Sequence, residues 1–104
     1  MIDVTSGQIE GKTVAKTVGL VRGSTIRARH LGRDIMAGLR GLVGGEITEY
    51  TRMMAQAREE ALQRMIEDAE SKGANAVVSM RLGTSMVMQN AAEVAAYGTG
   101  VVLE

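Results

Sequence analysis

A glycine-bounded amphipathic run at residues 44–77 constrains this chain more than any other feature. Gly44-Gly45-Glu46 opens it, and Gly73-Ala74-Asn75-Ala76-Val77 closes it. Between them, Ile47, Tyr50, Met54, Ala57, Ala61, Met65 and Ala69 recur at spacings of three or four. Met53, Leu62 and Ile66 widen the stripe. That period predicts one long helix with an apolar face. Arg52, Arg58, Glu59, Arg64, Glu67 and Lys72 are expected on the opposite, wet side. Glu60 precedes Arg64 by four residues, the favourable order for a surface ion pair. Thr48 is expected to cap the first turn, with Glu46 and Glu49 near the positive end of the dipole. Gly73 suits the left-handed position just past the last turn. A strand is expected to restart at Asn75.

On either side the pattern is β-prone. Ile2–Thr5 reads as a short strand, followed by turns at Ser6-Gly7 and Gly11-Lys12. Residues 13–28 form a long strand stretch in which Gly19 and Gly23 mark a bulge or bend. Leu31, Ile35, Leu39 and Leu42 then share a helical face, and Gly38 and Gly41 predict that this helix is short or irregular. After the long helix, Ala76, Val78, Met80 and Leu82 alternate with their neighbours. Gly83-Thr84-Ser85 is expected to interrupt that strand before Met86-Val87-Met88. Gln89-Asn90 reads as a hairpin turn. A last strand covers about 92–103.

The last strand points to assembly. Val94, Ala96, Gly98, Gly100 and Val102 line one face; Ala95, Tyr97, Thr99, Val101 and Leu103 line the other. Both faces are small or apolar, where a strand with one wet face alternates more clearly. One helix covers one face. The other is expected to meet another subunit; the alternative is coverage by the chain's own N-terminal segment.

The composition narrows the chemistry. With 104 residues the chain is a single domain spanning 1–104. It has no Cys, which removes disulfides, thiolate metal sites and thiol nucleophiles. Phe, Trp and Pro are also missing, and eight Met supply flexible core filling instead. The chain starts without a charged-then-apolar leader and contains no long uncharged apolar run, so a cytoplasmic protein off the membrane is expected. Net charge is zero, but residues 1–45 carry seven Lys or Arg against three acids, and residues 46–72 carry four against seven. This is read either as solvated surfaces or as two faces that meet between subunits. Arg22, Arg27, Arg29, Arg33 and Arg40 make a loose basic series. Two Tyr and zero net charge argue against nucleic acid as its partner.

Ile9-Glu10-Gly11-Lys12, Gly19-Leu20-Val21-Arg22-Gly23, Arg33-Asp34-Ile35, Gly44-Gly45, Tyr50, Ala57-Arg58, Gly73-Ala74-Asn75-Ala76-Val77 and Gly98-Thr99-Gly100-Val101-Val102 fall in one order. That order, over the whole chain, resembles the YbjQ-like family of small bacterial and archaeal proteins, which carries a heavy-metal-binding label. The resemblance implies an α+β fold. Its subunit is a dodecin-like β-α-β-β unit, an antiparallel sheet with the long helix on one face, set in a ring-shaped homo-oligomer, commonly a pentamer.

The metal label finds few donors. His30 and Asp34 lie four residues apart, and Met86-x-Met88 places two thioethers at strand spacing suited to Cu(I). These four are the weak metal candidates, and two ligands are too few for structural zinc within one subunit. Ser24, His30 and Asp34 include the residue types of a hydrolase triad without a nucleophile elbow. Gly38-x-x-Gly41-x-x-Gly44 is neither a P-loop nor a dinucleotide fingerprint. No catalytic residue and no cofactor is therefore assigned. The expected function is a non-enzymatic homo-oligomer with a ligand surface shared between subunits; the alternative is a small-ligand or metal-ion binder with a site between subunits.

Overall fold

The structure, a computed structural model, describes residues 1–28, 44–88 and 91–104. The elements run β1 (Ile2–Asp3), β2 (Val14–Ala28), α1 (Gly44–Ser71), β3 (Ala76–Met88) and β4 (Ala91–Leu103). One four-stranded sheet has the order β1-β3-β4-β2. The expected helix at 31–43 and the turn at Gln89-Asn90 lie outside the described residues.

The sheet is mixed rather than wholly antiparallel. β3–β4 and β4–β2 are antiparallel, but β1 runs parallel to β3. The N-terminal segment adds itself to the outer edge of β3: Val4 N–H donates to Val77 C=O, Met80 N–H to Val4 C=O and Ser79 N–H to Ser6 C=O. The chain then turns at Gly11, φ +75°, where Lys12 N–H donates to Ile9 C=O, and returns to begin β2 at the opposite edge.

Two expected irregularities fall elsewhere. β3 is continuous through Gly83-Thr84-Ser85, and its register shifts instead between Val78 and Arg81, where Ser79 has φ +54°, and again between Met86 and Met88. Gly19 does mark a bulge, with φ +123° at a shift between Thr17 and Gly19. Gly23 does not bend the strand. A Cβ there would lie 2.3 Å from Met65 N and 2.5 Å from Ala61 O, so its missing side chain lets the backbone of α1 touch the sheet.

That contact explains the small residues of α1. Ala57, Ala61, Met65 and Ala69 are fully buried against Val21, Val77, Val94 and Ala96. α1 starts at Gly44, so Thr48 sits inside the helix rather than at its cap. At the other end, Gly73 has φ +87°, Gly73 N–H donates to Glu70 C=O and Ala74 N–H to Ala69 C=O. Those two bonds are the Schellman closure expected of a left-handed glycine. Asn75 then clips the hairpin's end. Its amide donates to Leu103 C=O at 3.2 Å and accepts from Leu103 N–H at 2.7 Å.

Candidate functional site: the uncovered sheet face

Strand alternation divides the sheet into two faces. Val21, Gly23 and Thr25 of β2 are buried, while Leu20, Arg22, Ser24 and Ile26 between them are exposed. Across the ladder, Leu20 pairs with Thr99, Arg22 with Tyr97, Ser24 with Ala95 and Ile26 with Glu93. Directly opposed residues share a face. The face away from α1 therefore carries Leu20 at 59% exposure, Ile26 at 61% and Tyr97 at 45%.

Among the described residues, only part of this face is covered by the chain itself. Near the β1 end, Val4, Ile9 and Leu103 pack on Ala76, Val78 and Val101, and Val101 is 2% exposed. The N-terminal segment thus covers Val101, as one of the two alternatives for the last strand has it, and leaves Tyr97 exposed.

The open part forms a shallow groove of about 690 Å³. Leu20, Ala95 and Tyr97 supply apolar surface; Arg22, Ser24 and Glu93 bring polar groups to it. In register, Ser24 and Gly83 both oppose Ala95, a row of small residues between the rows that hold Tyr97 and Glu93.

The free edge of β2 beside the groove is guarded by α1. Arg22 N–H donates to an Asp68 carboxylate oxygen at 3.0 Å. Lys72 Nζ donates to Leu20 C=O at 3.1 Å and to the same Asp68 oxygen at 3.1 Å. Arg64 donates to Ser24 C=O at 2.6 Å and to Glu60 at 2.5 Å. Glu60 also accepts from Arg27. These side chains occupy groups that an edge strand otherwise offers to another strand. The Arg22 N–H bond holds the Asp68 carboxyl below its ordinary 3.8, outweighing its partial desolvation, and the Lys72 contact and the Lys72 and Arg22 charges act in the same direction. The expected Glu60–Arg64 pair is present. Arg64 and Lys72, however, stand over the β2 edge and not on the far side of the helix. The Glu60/Arg64/Asp68/Lys72 row at i, i+4 beside the alanine row was the signal for this clamp.

The metal candidates are not brought together by any described contact. His30 and Asp34 lie outside the described residues. Met86 is 67% exposed on β3, and a register shift between Met86 and Met88 breaks the alternation that the i, i+2 spacing assumes. Among the described residues, no three His, Asp or Glu converge as a metal-holding group. Ser24 is an exposed strand residue whose carbonyl is held by Arg64.

A family model described as "Putative heavy-metal-binding" matches residues 1–104. The chain belongs to the YbjQ family. Among its relatives, a UPF0145 protein of Methanosarcina acetivorans is 60% identical over 97% of this chain and 95% of its own length. A UPF0145 protein of Clostridioides difficile is 59% identical over 100% of this chain and 93% of its own. A crystal structure from Pediococcus pentosaceus, of a protein with unknown function in the DUF74 family, matches the fold with a TM-score of 0.69. It covers 100% of this chain and 98% of the other at 19% identity. The names of these YbjQ-family relatives specify no reaction. No helix among the described residues is long and apolar enough to cross a membrane.

Proposed function

We propose that this YbjQ-family chain is a non-enzymatic, cytoplasmic subunit whose working form is a homo-oligomer, a ring-shaped pentamer of dodecin-like subunits. The outer sheet face carries the reading: Leu20, Ile26 and Tyr97 are 59%, 61% and 45% exposed on a face whose lower half the chain has already covered. Large apolar side chains left exposed on one sheet face, here interspersed with Arg22, Arg81 and Glu93, suit an interaction surface. The overall dimensions support it. The radius of gyration is 17.2 Å, against roughly 13 Å for a compact chain of about 100 residues. Among the described residues, α1 packs on one face of the sheet only.

Light scattering with sedimentation at micromolar concentration tests the reading. The expected particle is five times the 11.0 kDa chain mass. A species of one chain mass would overturn it. The groove favours a second reading, a small-ligand binder with its site between subunits, because apolar surface and convergent polar groups meet there. Metal uptake is a weaker form of that reading, for want of donors.

A further inference from the structure

We infer that the row Arg22, Tyr97 and Arg81 on the outer sheet face binds the oxyanion of a small aromatic acid, a carboxylate or a phosphate monoester, with the ring laid on the small residues beside it. This rests on the reading of the groove as a small-ligand site and names the ligand's chemistry. The row follows from register. Tyr97 of β4 is opposed by Arg22 of β2 and by Arg81 of β3. All three are exposed. One extra residue in each flanking strand sets them there: β2 carries it between Thr17 and Gly19, β3 between Val78 and Arg81. Without those bulges Val21 and Met80 would oppose Tyr97, and both arginines would turn to the helix side. The bulge in β3 holds Ser79 at φ +54°, a conformation strained for a residue other than glycine.

The row presents donors in need of an acceptor. Arg81 Nη1 donates to Thr5 C=O at 2.9 Å and to Met80 C=O at 2.8 Å, which steadies the guanidinium through one terminal nitrogen. Among the described residues, neither Arg22 nor Arg81 is ion-paired; the paired carboxylates, Glu60 and Asp68, hold Arg27, Arg64 and Lys72. Asp68 stays at the β2 edge, on the Arg22 backbone N–H and Lys72. Guanidiniums meet carboxylate and phosphate oxygens through paired N–H donors, and the Tyr97 hydroxyl between them is a further donor. A neighbouring copy closing over this face would desolvate both cations, a cost that a bound anion offsets.

The neighbouring rows give the ligand its shape. Beside the arginine row lie Ser24, Ala95 and Gly83, and beyond them Ile26, Glu93 and Ser85. Tyr97 and Glu93 are four residues apart on one strand, about 13 Å. The small row between them is the floor of a trough with room for a flat ring. The groove of about 690 Å³ is lined from all three rows and has the size of a small-ligand pocket. Glu93 stands at the far end of the trough. An acid therefore enters with its charge toward the arginines, and a second acid group at the other end is repelled.

Calorimetric titration of the full chain with benzoate, phenyl phosphate, benzamide and terephthalate is the test. Benzoate or phenyl phosphate should bind, and the tighter of the two names the oxyanion. Neutral benzamide should bind about tenfold more weakly or worse. Arg22→Gln and Arg81→Gln should each weaken the tighter acid by about tenfold, with an unchanged circular dichroism spectrum. Arg58→Gln, at an exposed position of α1, should not. Should Arg81→Gln lose folded structure, Arg22→Gln decides. Terephthalate should bind less tightly than benzoate to the parent and close that gap in Glu93→Gln; a gap that persists counts against the placement of the acid. Benzamide binding as tightly as benzoate, or arginine variants that bind like the parent, would overturn the inference and leave the groove a site for other ligands. No binding by any probe at about 10 mM would overturn the inference and the small-ligand reading together.

Discussion

Gly23 shows what one missing side chain can decide. No unusual backbone angle requires glycine there; the space does. A Cβ would fall within 2.6 Å of three backbone atoms of α1, and a helix backbone cannot step aside as a flexible side chain can. Gly23→Ala should therefore push α1 off the sheet, at a cost of about 1–3 kcal/mol for overpacking. Calorimetry should find the melting temperature lower by about 5 °C or more; an unchanged melting temperature would mean that the helix does not sit on this residue. Asp68 makes a second residue-scale case. Its carboxyl is held below the ordinary 3.8 in the folded chain, chiefly by the Arg22 N–H. The folded state thus binds fewer protons than the unfolded one. The contribution of Asp68 is complete above the ordinary value and disappears as pH falls through the lowered one. Melting followed between about pH 5 and about pH 2 should show Asp68→Asn losing less stability than the parent across that window. Parallel curves would remove the carboxylate from the clamp.

At the scale of elements, the long helix and the strands around it were legible because their signals are local. The 3.6-residue period from Ile47 to Ala69 and the glycine at 73 use neighbours in the chain, and α1 ends in the Schellman closure that Gly73 predicts. The parallel pairing of β1 was not legible, since Ile2-Asp3 holds nothing that distinguishes an added edge strand from an antiparallel one. Nor was the Asn75 clip, which joins residues 28 apart. Much of the candidate face was readable from Tyr97 and its neighbours. Which half stays open depended on where Val4 and Ile9 land, a tertiary fact. The element-scale prediction uses the helix stop. At Gly73 nothing lies within 4 Å of a Cβ, so Gly73→Val is strained through its positive φ alone, by roughly 1 kcal/mol or more. Gly7→Val, where a Cβ would meet only Ser79 Oγ at an ordinary 3.7 Å, is the control. Thermal melts should separate the two variants, with Gly73→Val the less stable; equal melting would detach the strand register from this turn.

For the whole molecule, the division of the outer face separates folding from assembly. Val101 and Ile26 both lie on that face, but the chain treats them differently. Val101 is 2% exposed beneath Val4 and Ile9, whereas Ile26 is 61% exposed. Val101→Lys would place an unpaired ammonium in the packed half of the subunit, costing several kcal/mol. It should lower the melting temperature and the yield of folded chain, with any loss of assembly following from that. Ile26→Lys leaves the ammonium in water in the isolated subunit and desolvates it only where a neighbour closes over the face. Its circular dichroism spectrum should match that of the parent, while sedimentation should show smaller species at the same micromolar concentration. If Ile26→Lys sediments as the parent does, the open half of the sheet is not where copies meet, and the exposed Leu20, Ile26 and Tyr97 face something other than a second chain.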